Sequence, residues 1–281
     1  MDFVDAFCER GVFNLEQSRR ILLAGRSLLG AHLQLHAEQL SHQGSAQLAV
    51  QLGARLISHA EHVSIEGISA LASSQCSVVL CPASQHVMRS SAPPVRRMLQ
   101  AGIPIALGSD FCPNAHCHSM PHAMHLAVLD NRLSPTEALV AATINAAYAL
   151  DRHQDYGSLE VGKWGNCVLI NGNSWLHLIY QFGDPRSVIR TVIRRGKPIL
   201  FPVEHESNWI YQKRKKSIDC IKIMILIEKE LFIFAFINNF WLKKFKKISI
   251  YCRKFSQHTS GKASGFHTPV AKFYSAHCIN I

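Results

Sequence analysis

Apolar and polar positions over the first 156 residues switch between two periods, strand then helix, five times in the same order. Phe3 to Cys8 alternates as a strand does, and Asn14 to Leu29 follows with Leu15, Ile21, Leu22 and Leu28 near helical spacing behind a capping Asn14. His32 to His36 reads as the second strand, Ser45 to Leu52 as an Ala/Leu/Gln-rich helix stopped by Gly53, and Arg55 to His59 as the third strand. Ser64 caps a helix through about Ser73. Ser77 to Cys81 is almost continuously apolar, as a strand covered on both faces is. Pro93-Pro94 opens a helix to Gln100 that Gly102 closes, and Ile103 to Leu107 is the fifth strand. Pro121 to Leu129 and Pro135 to Leu150 read as two more helices, the second capped by Ser134. Five strand-helix units in succession predict an α/β fold built on a parallel sheet.

The pattern changes at Gly157. Gly157 to Lys163 is turn-rich, Cys167 to Ile170 and Ile189 to Ile193 are short strands, and Arg194-Arg195-Gly196-Lys197 is a hairpin-like turn into Pro198-Ile199-Leu200. Residues 157–202 therefore read as a small β appendage to the α/β body, 1–156. From residue 203 Lys, Ile, Phe and Asn dominate and Ala nearly vanishes, so 203–281 reads as an unrelated tail, translated non-coding sequence being the preferred origin. Ile221 to Trp241 comes nearest to a membrane span. Lys222, Glu228, Lys229 and Glu230 interrupt it, and a central lysine costs about 2.5–3.5 kcal/mol to insert. The basic run Trp241 to Lys247 could touch a membrane surface or nucleic acid.

The formal charge of +11 looks like a nucleic-acid signal until it is divided by position. Residues 1–202 hold 16 Lys and Arg against 14 Asp and Glu, whereas 203–281 hold 14 against 5. The basicity belongs to the tail, and the body gives no support to nucleic-acid binding. The nine cysteines include no CxxC pair, which argues against a zinc ribbon or thioredoxin-type site. Cys8, Cys76, Cys81 and Cys167 lie in apolar runs, as buried reduced thiols do. Residues 1–30 lack the pattern of a signal peptide, so a cytoplasmic location is expected.

Three strand ends carry the candidate chemistry: His36, His59 and Asp110. Alone, each has a plainer reading as a hydrogen-bonded rim histidine, a buried histidine or a turn cap. Together the odds change, because strands of a parallel barrel bring their C-terminal ends to one rim. Two imidazoles and a carboxylate there suit a metal-assisted hydrolase, in which a cation makes water acidic and a neighbouring carboxylate takes its proton. His116-Cys117-His118, the chain's one His-x-His, follows Asp110 and reads as part of a loop.

The chain resembles the imidazolonepropionase family of the amidohydrolase superfamily. The resemblance is carried by Asp5 to Phe13, His36 to Leu40, Ile57 to Ser64 and Ala106 to Phe111, and it continues through Thr143 to Leu150, Gly157 to Lys163 and Leu178 to Gly183. It covers about residues 1–200 in order. It implies a partial TIM-type (β/α) barrel, about strands four to eight, with a small C-terminal β appendage. The implied reaction is hydrolysis of 4-imidazolone-5-propanoate to N-formimidoyl-L-glutamate in histidine degradation. It also implies one zinc or iron ion with His36 and Asp110 as ligands, since His and Asp suit both metals. His59 and Asp110 would be catalytic, Asp110 as proton acceptor, and Gln39 and Asn114 would contact the small-molecule substrate; a homodimer is expected.

The departures matter as much. The family's N-terminal half, with its His-x-His metal pair and substrate-binding Arg, Tyr and His, has no counterpart here, so the chain alone is expected to be inactive. Cys112 stands where the family has Asn, and a thiol is a weaker hydrogen-bond partner than an amide. Asn166 stands where Asp is usual, at a position expected to be structural. A deaminase- or dihydroorotase-like amidohydrolase would share His36, His59 and Asp110 but would not account for Val12-Phe13 or Tyr180-Gln181-Phe182. A non-catalytic, membrane-associated protein rests on the tail alone.

Overall fold

A computed structural model describes residues 2–199 and two further strand segments, 221–227 and 231–236. In chain order the body contains β1 (Phe3–Cys8), α1 (Leu15–Leu29), β2 (His32–Ala37), α2 (Ser45–Leu52), β3 (Leu56–His59), α3 (Ile65–Ala72), β4 (Ser77–Leu80), α4 (Pro82–Met88), α5 (Val95–Gln100) and β5 (Ile105–Leu107). Helices α6 (Met120–Leu129), α7 (Pro135–Ala141) and α8 (Ile144–Ala149) follow. The five strands pair in their order of occurrence and all run parallel. Each must be reached by a crossover, and the intervening helices supply it. Leu33, Leu35, Ile57, Val78, Leu80, Ile105 and Leu107 fill the sheet's share of one continuous core with the helices.

Local chemistry explains where the helices begin and end. The Asn14 side chain accepts from the Gln17 amide while Gln17 answers the Asn14 amide, a reciprocal cap for α1, and Gly30 closes that helix at φ 60°. Ser64 caps α3, and Ser134 with Glu137 forms a second reciprocal cap on α7. Two expectations need correction, and one helix is new. The stretch Pro135 to Leu150 is two helices: the Thr143 hydroxyl donates to the carbonyls of Leu139 (2.6 Å) and Val140 (3.2 Å), and Thr143 itself leaves the helical conformation. Pro93 and Pro94 lie outside α5, whose first residue is Val95. Pro82–Met88, to which the sequence pattern assigned no element, is a helix with Pro at its first position.

The second sheet is antiparallel, in the order β10-β9-β6-β7-β8, with β6 (Cys167–Asn171), β7 (Ile189–Arg194), β8 (Lys197–Ile199), β9 (Ile221–Ile227) and β10 (Leu231–Phe236). Short helices α9 (His177–Tyr180) and α10 (Pro185–Val188) pack Leu178 and Val188 against Val168, Ile170 and Val192. Fully buried Asn166 accepts the Arg195 amide at 2.6 Å and so ties the turn before β6 to the β7–β8 hairpin. Both β9 and β10 fall in the stretch that came nearest to a membrane span, and they are strands. Among the described residues no helix is long and apolar enough to cross a membrane. The basic run Trp241 to Lys247 lies outside the described residues.

Burial sets the state of the thiols in the body. Desolvation pushes Cys76 up from the usual 9.0 to about 12, nearby Arg55 opposing it, and pushes Cys81 well above 9.0. Both stay protonated in the folded chain where the unfolded chain begins to ionise. Their contribution to stability is therefore whole below about pH 9 and is lost as the pH rises above it. Iodoacetamide at pH 8 should leave Cys76 and Cys81 unmodified in the native chain and label both after denaturation, read by peptide mass. Labelling of either in the native chain would contradict this packing.

Candidate metal centre

His36 lies in β2 beside Phe7 of β1, and strand alternation puts it on the same face as Asp5. Its Nδ1 meets Asp5 Oδ2 at 2.8 Å, which orients the ring and leaves Nε2 as the nitrogen to offer a cation. Burial works to keep this imidazole neutral, but the charge and hydrogen bond of Asp5, with Asp110 adding, outweigh it and raise the pKa above 6.5. The surroundings thus favour positive charge at this ring more than water does.

His59 reaches the same place by breaking the strand rule. Its register partner is Ala37, so regular alternation would turn it away from the side of His36. Instead the backbone turns left-handed at His59 (φ 81°) and Ala60 (φ 67°). The same happens at Glu38 (φ 56°), after β2, and at Asp110 (φ 47°), beyond β5. Left-handed backbone costs an L-residue roughly 1–2 kcal/mol, and here it falls at or just beyond the ends of β2, β3 and β5. Gly108 completes the approach, for a Cβ there would lie 3.1 Å from Val79 Cγ1 of β4.

The result is one cluster in which the donor atoms of His36, His59 and Asp110 all lie within 4.8 Å of one another. The two imidazole centroids are 5.3 Å apart, and His59 Nε2 is 3.9 Å from Asp110 Oδ2. With metal–nitrogen bonds near 2.0–2.1 Å and a tetrahedral angle, two rings sharing one cation sit about 5.2 Å apart, centre to centre. On its other side His59 Nδ1 stands 3.6 Å from Glu61 Oε1, and neither His59 Nδ1 nor Glu61 Oε2 has a hydrogen-bond partner despite burial. This desolvated group of carboxylates and imidazoles suits a bound divalent cation.

Two further carboxylates hold the loop behind His36. Buried Glu9 accepts from the amides of Gln39 (2.6 Å) and Leu40 (3.1 Å) and from Ser41 Oγ (2.9 Å). Buried Glu38 accepts from the Ser45 amide (2.6 Å) and from His42 Nδ1 (2.8 Å). Sequence reasoning singled out none of Asp5, Glu9, Glu38 and Glu61; the available signal was an acidic residue in or just beyond an apolar strand. Of the predicted substrate contacts, Gln39 is buried with its Nε2 3.5 Å from Met88 Sδ. Asn114 is exposed at the tip of a hairpin in which Cys112 and Ala115 exchange backbone hydrogen bonds. The structure thus brings His36, His59 and Asp110 together and puts Asn114 on the surface loop beyond them.

The amidohydrolase family model matches residues 25–199. The chain belongs to the amidohydrolase family. Among its relatives this amidohydrolase is 50% identical over 197 residues to a protein of Xenopus tropicalis named probable imidazolonepropionase, covering 70% of this chain and 45% of that one. It is likewise 50% identical over 199 residues to the probable imidazolonepropionase of Homo sapiens, covering 71% and 46%. The chain thus spans about half the length of these relatives. A zinc-bound adenosine deaminase from Xanthomonas campestris superposes with a TM-score of 0.56 at 23% identity, over 67% of this chain and 49% of that one. At that identity the likeness is one of fold.

Replacing Glu9 by Ala strands three donors behind the site. Glu9→Ala should destabilise the chain by about 2–4 kcal/mol in urea unfolding and speed amide exchange at Gln39 and Leu40 specifically. Unchanged exchange at those amides would remove Glu9 from the loop's support.

Proposed function

We propose that this chain is the C-terminal part of an imidazolonepropionase, with β1 to β5 as strands four to eight of a (β/α) barrel. The enzyme hydrolyses 4-imidazolone-5-propanoate to N-formimidoyl-L-glutamate. The observation that carries the reading is the convergence of His36, His59 and Asp110 in a chain half identical to named relatives. His36 and Asp110 hold a zinc or iron ion, which supplies Lewis acidity when bound. Asp110 takes the proton of the attacking water as water adds to the ring carbonyl. His59 carries a proton to the ring nitrogen as the C–N bond breaks, completing the ring opening. Gln39 and Asn114 hold the substrate, with Cys112 a weaker partner than the Asn it replaces. A cytoplasmic homodimer acting on a small molecule goes with the near-neutral body and its free thiols, with neither nucleic acid nor membrane as partner.

Two protein ligands, His36 and Asp110, fall short of the three that a catalytic zinc normally takes besides its water. We infer that strands one to three bring the remaining ligands, and that the chain alone binds metal yet turns over little substrate. The test joins this chain to the N-terminal half of the Xenopus tropicalis relative and follows loss of imidazolonepropanoate absorbance. The hybrid should hydrolyse substrate, Asp110→Asn should slow it at least about 10²-fold, and His36→Ala should lower metal content by elemental analysis. A folded, metal-loaded hybrid that leaves this substrate untouched would overturn the assignment.

A further inference from the structure

A second pair of imidazoles stands apart from the buried cluster, on the loop between Asp110 and α6. Along Ala115 to His118 burial alternates: Ala115 and Cys117 are buried, and His116 and His118 are exposed. The Cys117 amide donates to the Ala115 carbonyl at 2.8 Å, a tight turn centred on His116, and the two exposed imidazoles lie beside each other. The segment is anchored at each end and in the middle. The Cys112–Ala115 hairpin bonds hold its start, Cys117 packs with Ala83 and Leu126, and Ser119 caps α6 immediately after. Phe111 lies under both imidazoles, its ring centroid 4.6 Å from that of His116 and 4.0 Å from that of His118.

The two imidazole centroids are 5.0 Å apart with the rings at 82°. Two rings sharing a tetrahedral cation sit about 5.2 Å apart, and the buried pair His36 and His59 is separated by 5.3 Å. We propose that His116 and His118 form a second, surface metal site that chelates a divalent transition ion, zinc first among them. Two neutral nitrogens held at this spacing favour zinc, nickel or copper, and water fills the other positions. Magnesium and calcium, which demand oxygen ligands, are not expected there. The backbone is held by buried neighbours and the Phe111 ring packs against both imidazoles. The site is open to solvent, so it exchanges zinc readily and binds it more weakly than a closed four-ligand centre. It stands independently of the catalytic reading, since neither histidine belongs to the buried cluster.

Calorimetric titration of the full chain with zinc alone tests this. Two zinc equivalents are expected, and the double variant His116→Phe with His118→Phe should bind one fewer, or bind the weaker ion at least about tenfold less tightly. Phenylalanine preserves the ring packing on Phe111 while removing the ligand nitrogens, so loss of binding is separable from loss of fold; an unchanged circular dichroism melt confirms that separation. In a His36→Ala, Asp110→Asn background one zinc should remain, and it should vanish when both phenylalanines are added. The site is refuted if the double phenylalanine variant binds zinc as the parent does. Displacement of the weaker zinc by millimolar magnesium would equally refute it, because an imidazole pair does not make that exchange.

Discussion

Everything at the candidate centre depends on a backbone constraint: the segments that emerge from parallel strands β2, β3 and β5 turn left-handed at or next to the candidate side chains. Glu38, His59 and Asp110 all have positive φ, and none is glycine. A regular continuation of β3 would send His59 to the wrong side of the sheet, given its pairing with Ala37. The left-handed turn returns it to His36. Such a conformation persists only where surrounding contacts over-determine it. Here the Ala60 amide donates to the Ala37 carbonyl at 3.2 Å and the His62 amide to Glu38 at 2.7 Å, so the strained turn is tied back to the preceding strand end.

The carboxylates around this turn divide into two kinds. Glu9 and Glu38 point at backbone amides and hold the 38–45 loop; their oxygens are occupied by short hydrogen bonds. Asp5, Asp110 and Glu61 point at imidazoles: Asp5 is hydrogen-bonded to His36 at 2.8 Å, but Glu61 and Asp110 stand 3.6 Å and 3.9 Å from His59, beyond hydrogen-bond reach. A desolvated carboxylate at such a distance from its imidazole is poorly compensated. The second group is thus electrostatically unfinished in a way the first is not, and a cation among His36, His59 and Asp110 would finish it. The raised pKa of His36 makes the same point with a proton, since Asp5 and Asp110 favour positive charge at that ring despite its burial.

Much of the fold was legible because its causes are local. Asn14, Ser64 and Ser134 cap the helices they were expected to cap, and the five strands lie where apolar runs end in polar residues. The errors are also physical. Thr143 breaks a continuous helical pattern through its own hydroxyl, which periodicity does not register. Glu9 finds its partners some thirty residues away, so no window on the sequence contains the interaction. His59 is the instructive case: its position at a strand end pointed to the site, while alternation in the final register points away from it. The decisive information was one backbone torsion, and only the packed chain supplies that.

The loop after Asp110 links the candidate centre to the proposed surface pair. Asp110 turns inward to the buried imidazoles, whereas Phe111, the next residue, supports His116 and His118 at the surface. Inner and outer pairs have nearly the same ring separation but opposite environments. The inner pair is enclosed with three carboxylates nearby, which strengthens every charge interaction and slows exchange. The outer pair faces water, where charge is screened and only the chelate geometry remains to favour an ion. Similar spacing therefore implies different chemistry: an enclosed cation polarises what it touches, and an exposed one merely tethers the loop that bears it.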